Sequence, residues 1–136
     1  VMKKNRILRY REKIEVITKR KENISSWIDG KDEKSILAVY KAYQEMIESF
    51  TDIFAMMLKD MGELVKDDYS NIETLRSKGF LNEDEEGLMK EANGLRNRLV
   101  HEYNGLERKV AIESIRRINQ NLENVIEEIR KWIKEE

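Results

Sequence analysis

"SILAVYKAYQEMIESFTDIFAMML", residues 35–58, holds no proline or glycine and spaces its large apolar side chains as a helix does. Ile36, Tyr40, Tyr43, Ile47, Phe50, Phe54, Met57 and Met61 follow one another at alternating intervals of four and three. A half-buried strand would alternate every second residue; the observed interval keeps one helix face turned toward a core. The periodicity predicts a long helix over about 32–66, with Asp32 or Ser35 as its N-cap. Met46, Ile53 and Leu58 widen the stripe, so this helix is expected to pack against more than one neighbour.

The pattern continues on both sides. Upstream, Ile7, Tyr10, Ile14, Ile17, Ile24 and Ile28 predict a helix over about 4–28, with Lys21 at a seam position and Asp29-Gly30 as the stop. Downstream, Ser70 and Glu73 read as the capping box of a short helix over about 71–78. Gly79 closes it, and Phe80-Leu81 anchor the turn. Asn82 caps the next helix, with Glu83, Asp84, Glu85 and Glu86 in its first turn. That helix buries Leu88, Ala92, Leu95 and Leu99 and stops near Gly105. A final helix over about 106–134 buries Ala111, Ile115, Ile118, Leu122, Val125, Ile129 and Trp132. No run reads as a strand and no solenoid period recurs. Breaks at 29–31, 67–70, 79–82 and 104–105 favour antiparallel packing over a coiled coil. The expectation is an all-α antiparallel up-and-down bundle of four long helices plus one short helix, one domain over 1–136.

Several classes fall away on composition. No apolar run approaches the ~20 residues of a membrane span. No apolar stretch follows the basic N-terminus, so no signal peptide is expected. The absence of cysteine excludes disulfides and thiolate chemistry and fits a cytoplasmic location. The net charge of −1 conceals an uneven distribution: residues 3–21 carry nine Lys/Arg against two Glu, and residues 82–91 carry five acids against one Lys. The basic segment reads either as a solvated helix face or as a face toward a polyanion.

The chemistry concentrates in "EANGLRNRLVHEYNGLE", residues 91–107, which holds the one histidine. Each helical residue turns by about 100°, so with Leu95 at zero the core stripe centres near 30°. Arg96 lies at about 100° and Tyr103 at about 80°, on a shared boundary face. Asn97 and His101 share another face at about 200–240°, away from the core, with Val100 between at about 140°. His101 is therefore not a core histidine. Arg96 and His101 diverge by about 140° and reach one ligand only in a wide groove. Such a groove needs either a helix distorted near Gly105 or a second copy of the chain, and an exposed Val100 fits the second copy.

Arginine offers a permanent bidentate charge to a phosphate, and histidine, with an ordinary pKa near 6.5, exchanges protons at neutral pH. RNA brings its own nucleophile, the 2′-hydroxyl, so such a site needs no Ser or Cys. One histidine without cysteine argues against zinc, and acid-rich helix starts are the remaining place for Mg²⁺. There is no GxGxxG or GxxxxGK[ST] for a nucleotide phosphate, and no Glu three residues before His101 for a diiron site. No cofactor and no metal is expected. By spacing alone, an ordinary solvent-facing histidine near a helix end stands beside the catalytic reading.

The wording is more specific than the spacing. "RNRLVHEY", residues 96–103, resembles the R-x4-H-x-Y signature of the HepT-like ribonucleases, a branch of the HEPN (higher eukaryote and prokaryote nucleotide-binding) superfamily. "DYSNIETLRSKGFL", residues 68–81, resembles the text that precedes the signature in that family, so the resemblance spans roughly 36–105. It implies a small helical bundle acting as a metal-independent endoribonuclease, with Arg96 and His101 as the catalytic pair and Asn97 at the supporting polar position. It implies a homodimer with both motifs lining one cleft. It also implies a toxin held in check by a minimal nucleotidyltransferase antitoxin that adds AMP to Tyr103. Two other readings stay open: a non-catalytic module that binds a nucleotide or such a partner, and an adaptor bundle.

Overall fold

Residues 35–58 lie inside one uninterrupted helix in a computed structural model that describes residues 2–101 and 105–135. The order is α1 (Lys4–Trp27), α2 (Glu33–Asp60), α3 (Asp68–Ser77), α4 (Glu83–His101), α5 (Arg108–Gln120) and α6 (Glu123–Glu135), with no strand among the described residues. The all-α bundle is as expected, with α2 as its axis: α1, α3 and α4 all pack on it. Met46, Ile53 and Leu58 are accordingly fully buried beside Tyr43, Phe50 and Phe54. Burying a side chain of Ile or Phe size contributes about 1.5–3 kcal/mol, so this axis dominates the stabilising side of folding.

Helix α1 runs antiparallel to α2, in a register marked by charge. Arg6 meets Asp60 at 2.9 Å, Lys13 meets Asp52 at 2.9 Å, and Arg20 meets Glu45 at 2.7 Å. Lys21, the seam residue, reaches Glu123 of α6 at 3.9 Å. Four of the nine cations at residues 3–21 are thus turned onto the bundle itself. Such half-exposed pairs are worth about 0–1 kcal/mol each and fix alignment more than stability. Lys3, Lys4, Arg9, Arg11 and Lys19 stay exposed.

The helix ends depart from expectation where backbone chemistry overrides periodicity. Helix α2 stops at Asp60 rather than near residue 66. Gly62, at φ +79°, turns the chain so that Glu63 N–H bonds the Leu58 carbonyl at 2.9 Å and Gly62 N–H bonds that of Lys59 at 3.0 Å. Helix α3 starts at Asp68, and its cap is Asp67 rather than Ser70. The Asp67 carboxylate accepts from Ser70 N–H at 2.9 Å and from the Ser70 hydroxyl at 2.8 Å. Asp32 caps α2 through Ser35 in the same way. Buried Asn71 clamps the linker between α2 and α3, exchanging two hydrogen bonds with the Lys66 backbone.

Gly79 closes α3 as expected, Leu81 is buried, and Phe80 meets Trp132 edge-on at 6.3 Å. Asn82 and Glu85 form a reciprocal capping box at the start of α4, each side chain bonded to the other's N–H at 2.8 Å. The last expected helix is two. The Asn121 amide side chain bonds the Arg117 carbonyl at 2.7 Å and ends α5, and α6 restarts at Glu123. The apolar rhythm runs unbroken through the break, and all seven expected core positions there are buried.

Candidate functional site

Helices α3 and α4 form an antiparallel pair whose contacts descend toward His101. Arg76 meets Glu86 at 3.0 Å, Glu73 meets Lys90 at 3.1 Å, and Asp68 meets Arg96 at 3.0 Å. Between the last two, Tyr69 lies across Gly94, where a Cβ would stand 3.2 Å from the phenolic oxygen. Gly94, Asn97 and His101 fall within an arc of about 60° on α4. The face that α3 covers as far as Gly94 therefore continues, past the first residue of α3, as Asn97 and His101.

His101 is exposed, Asn97 is half-buried, and Val100 is 50 % exposed. The expectation that His101 points away from its own core holds. Its imidazole has no hydrogen-bond or ion-pair partner among the described residues. Arg98, three residues before it and a surface neighbour on the helix, is exposed and likewise forms no ion pair among the described residues.

Arg96 is more enclosed than face arithmetic implied, its side chain only 17 % exposed. The buried arc of α4 includes Met89 and Asn93, at about 120° and 160°, because α3 packs on that side. Leu88 in turn is only half-buried. Arg96 Nη2 donates to Asp68 Oδ2 at 3.0 Å and to Asn93 Oδ1 at 3.1 Å. Its Nε is buried with no hydrogen-bond partner among the described residues, as is Asn93 Nδ2. One turn earlier, Tyr43 of α2 donates to the Ala92 carbonyl at 2.8 Å. Burial, and then the nearby Glu91 charge, push the Tyr43 hydroxyl well above its ordinary range. Glu91 is held by a two-pronged pair with Arg117 of α5.

Helix α4 is continuous from Glu83 to His101, so Arg96 and His101 stand on different faces of one regular helix and do not touch. Tyr103 lies outside the described residues. Two residues of the site escaped the sequence reading. Asp68 lies ahead of the helix expected over 71–78, and its signal is a doubled acid, Asp67-Asp68, of which a cap needs one. Asn93 is a polar residue at a core position three before Arg96, on the same side of the helix. Of the acids opening α4, Glu85 is engaged in the cap and Glu86 in pairs to Arg76 and Lys90. No group of three or more His, Asp or Glu among the described residues is arranged to hold a metal ion. No helix among the described residues is long and apolar enough to cross a membrane.

Comparison with known proteins extends the resemblance along most of the chain. The family model described as "Ribonuclease HepT-like" matches residues 7–129, well beyond the 36–105 legible by eye. A protein of Archaeoglobus fulgidus named "Putative RNase" is 38 % identical over 128 residues, covering 89 % of this chain and 96 % of the relative. A second protein of that organism and name is 34 % identical over 126 residues, covering 93 % and 92 %. A relative from Methanocaldococcus jannaschii with the same RNase designation is 37 % identical over 78 residues, covering 57 % and 85 %.

Proposed function

The chain belongs to the HepT-like ribonuclease family, and on that premise we propose that it is a metal-independent endoribonuclease whose catalytic pair is Arg96 and His101. The reaction is transesterification within RNA. The 2′-oxygen forms a bond to phosphorus as the bond to the 5′-oxygen breaks, leaving a 2′,3′-cyclic phosphate and a 5′-hydroxyl. One proton leaves the 2′-hydroxyl and one arrives at the 5′-oxygen, and His101 carries out such a transfer as base or acid. Arg96 stabilises the charge that builds on the non-bridging oxygens, and Asn97 orients the phosphate or the imidazole.

The observation that carries this reading is the placement of the one histidine. His101 is exposed at the end of α4, on a face that α3 leaves open, one turn beyond a permanent cation held in place. The divergence of the pair on a regular helix, with half-exposed Val100 between them, supports a cleft shared by two copies of the chain. In that arrangement Arg96 of one copy and His101 of the other address the same phosphate. The protein acts in the cytoplasm as the toxin of a toxin–antitoxin pair. A minimal nucleotidyltransferase antitoxin silences it by adding AMP to Tyr103, placing bulk and negative charge beside the docking RNA phosphate.

Cleavage of RNA in EDTA by the purified protein is the test. His101→Ala should lose about 10²–10⁴-fold in rate, and Arg96→Ala about 10²–10³-fold, with helical circular dichroism unchanged. A His101→Ala protein that still cuts RNA in EDTA sinks the mechanism. Tyr103→Phe should escape control by the nucleotidyltransferase; continued full control would remove that part. A wild-type protein that binds such a partner and leaves RNA intact would point to the non-catalytic module instead.

A further inference from the structure

We propose that Asp68 is a positioning residue for this reaction: with Asn93 it clamps one end of the Arg96 guanidinium so that the other end is aimed at the substrate phosphate. The proposal rests on the reading of Arg96 given above. Nη2 of Arg96 has two N–H bonds, and two acceptors meet them, Asp68 Oδ2 at 3.0 Å and Asn93 Oδ1 at 3.1 Å. A guanidinium is planar, so holding both hydrogens of Nη2 sets the plane and with it the direction of Nη1. Nη1 has no hydrogen-bond partner among the described residues, and Nε is buried without one. The orientation is thus set at Nη2, and Nη1 is the donor left for a ligand.

The two clamping residues differ in kind. Asn93 is 1 % exposed and cannot swing away; its carbonyl oxygen faces the cation and its amide nitrogen goes unpartnered, as a neighbouring positive charge dictates. Asp68 comes from another helix, 28 residues earlier, and its side chain is 38 % exposed. The start of α3 has no need of it, because Asp67 already supplies the cap. A donor stabilises a transition state only when it already points where charge develops. Loss of the clamp therefore lowers turnover more than it weakens RNA binding. If Asp68 instead competed with the phosphate for Arg96, its removal would tighten binding and leave turnover alone.

The test is steady-state cleavage of a synthetic oligoribonucleotide in EDTA by the full chain, read as kcat and KM separately. Asp68→Ala should lower kcat about 10–100-fold, the scale of a misplaced catalytic group, with KM nearly unchanged. Asp68→Asn, which keeps an acceptor oxygen, should recover most of that loss. Asp68→Ala made in Arg96→Ala should be no slower than Arg96→Ala alone, since a residue acting through another adds nothing once that other is gone. In ¹⁵N spectra the Arg96 Nη signals should report restricted rotation in the wild type and free rotation in Asp68→Ala. A fall in KM at unchanged kcat, or a further slowing of Arg96→Ala, overturns the proposal. Arg96→Ala with wild-type activity overturns the reading of Arg96 as well, whereas an inactive Arg96→Ala beside a fully active Asp68→Ala overturns this proposal alone. Thermal melting of each variant separates loss of activity from loss of fold.

Discussion

The buried hydroxyl of Tyr43 donates a 2.8 Å hydrogen bond to the carbonyl of Ala92, the same carbonyl that α-helical geometry pairs with the amide of Arg96. One bond therefore fastens the axis of the bundle to the turn that carries Arg96. Tyr43→Phe keeps the ring and removes the donor, which should lower stability by about 0.5–1.5 kcal/mol. Thermal denaturation should show a midpoint lower by a few degrees; an unchanged midpoint would mean that the bond does no structural work.

Alkaline pH should unfold the protein earlier than its ion pairs alone would allow. Tyr10, by burial and its bond to Asp60, and Tyr43, by burial, both titrate above their ordinary value of 10.0 when folded. Above that value the unfolded chain loses protons that the folded chain retains, so stability falls as pH rises. The slope of stability against pH beyond about pH 10 should flatten in Tyr10→Phe and Tyr43→Phe. Slopes identical to wild type in urea titrations at several pH values would contradict this.

Asn82→Ala removes one half of the capping box and should cost about 1 kcal/mol. The residue stands at the opposite end of α4 from His101. Urea midpoints should therefore fall while the rate of RNA cleavage, measured well below the transition, stays at the wild-type value.

The glycines divide by cause. Gly62 and Gly79 hold φ near +79° and +86° with open space around them, so Gly62→Ala or Gly79→Ala should cost about 1–2 kcal/mol through backbone strain alone. Gly94 has no such backbone demand, and Gly94→Ala gains up to about 1 kcal/mol of helix propensity. Its new methyl meets the Tyr69 hydroxyl, so the readout to follow is displacement of the Tyr69 ring by NMR. A destabilised Gly94→Ala with Tyr69 unmoved would refute this division.

Val100→Glu places a charge on the half-exposed apolar position between Arg96 and His101. It should convert a dimer to a monomer in sedimentation velocity and abolish cleavage without lowering the melting temperature. A monomeric variant that cuts RNA normally would place the whole site within one chain.

Most of the fold was legible because apolar spacing reports burial directly. The stripes of α1, α2 and the α5–α6 stretch match the observed core almost residue for residue. Helix ends were less legible, since a positive-φ glycine such as Gly62 or a side chain such as Asn121 can stop a helix while the apolar rhythm continues. The candidate site followed the same division. The outward face of His101 came from angular arithmetic within one helix, whereas the hold on Arg96 depends on α3, whose placement no single-helix argument contains. Asp68 and Asn93 could be recognised only once that neighbour was in position.

Helix α3 accompanies α4 as far as Arg96 and begins there with Asp68, leaving the His101 end of α4 to project beyond it. The two ends of α4 consequently answer to different pressures. Substitutions near Asn82 are felt by the whole molecule as a gain or loss of robustness, while on the proposed function those at the exposed positions past Arg96 alter what the protein can grip and how fast it reacts. On the proposed function, a lineage can therefore retune its preference for RNA by drift along the last turns of one helix, with the rest of the chain kept as an unchanging handle.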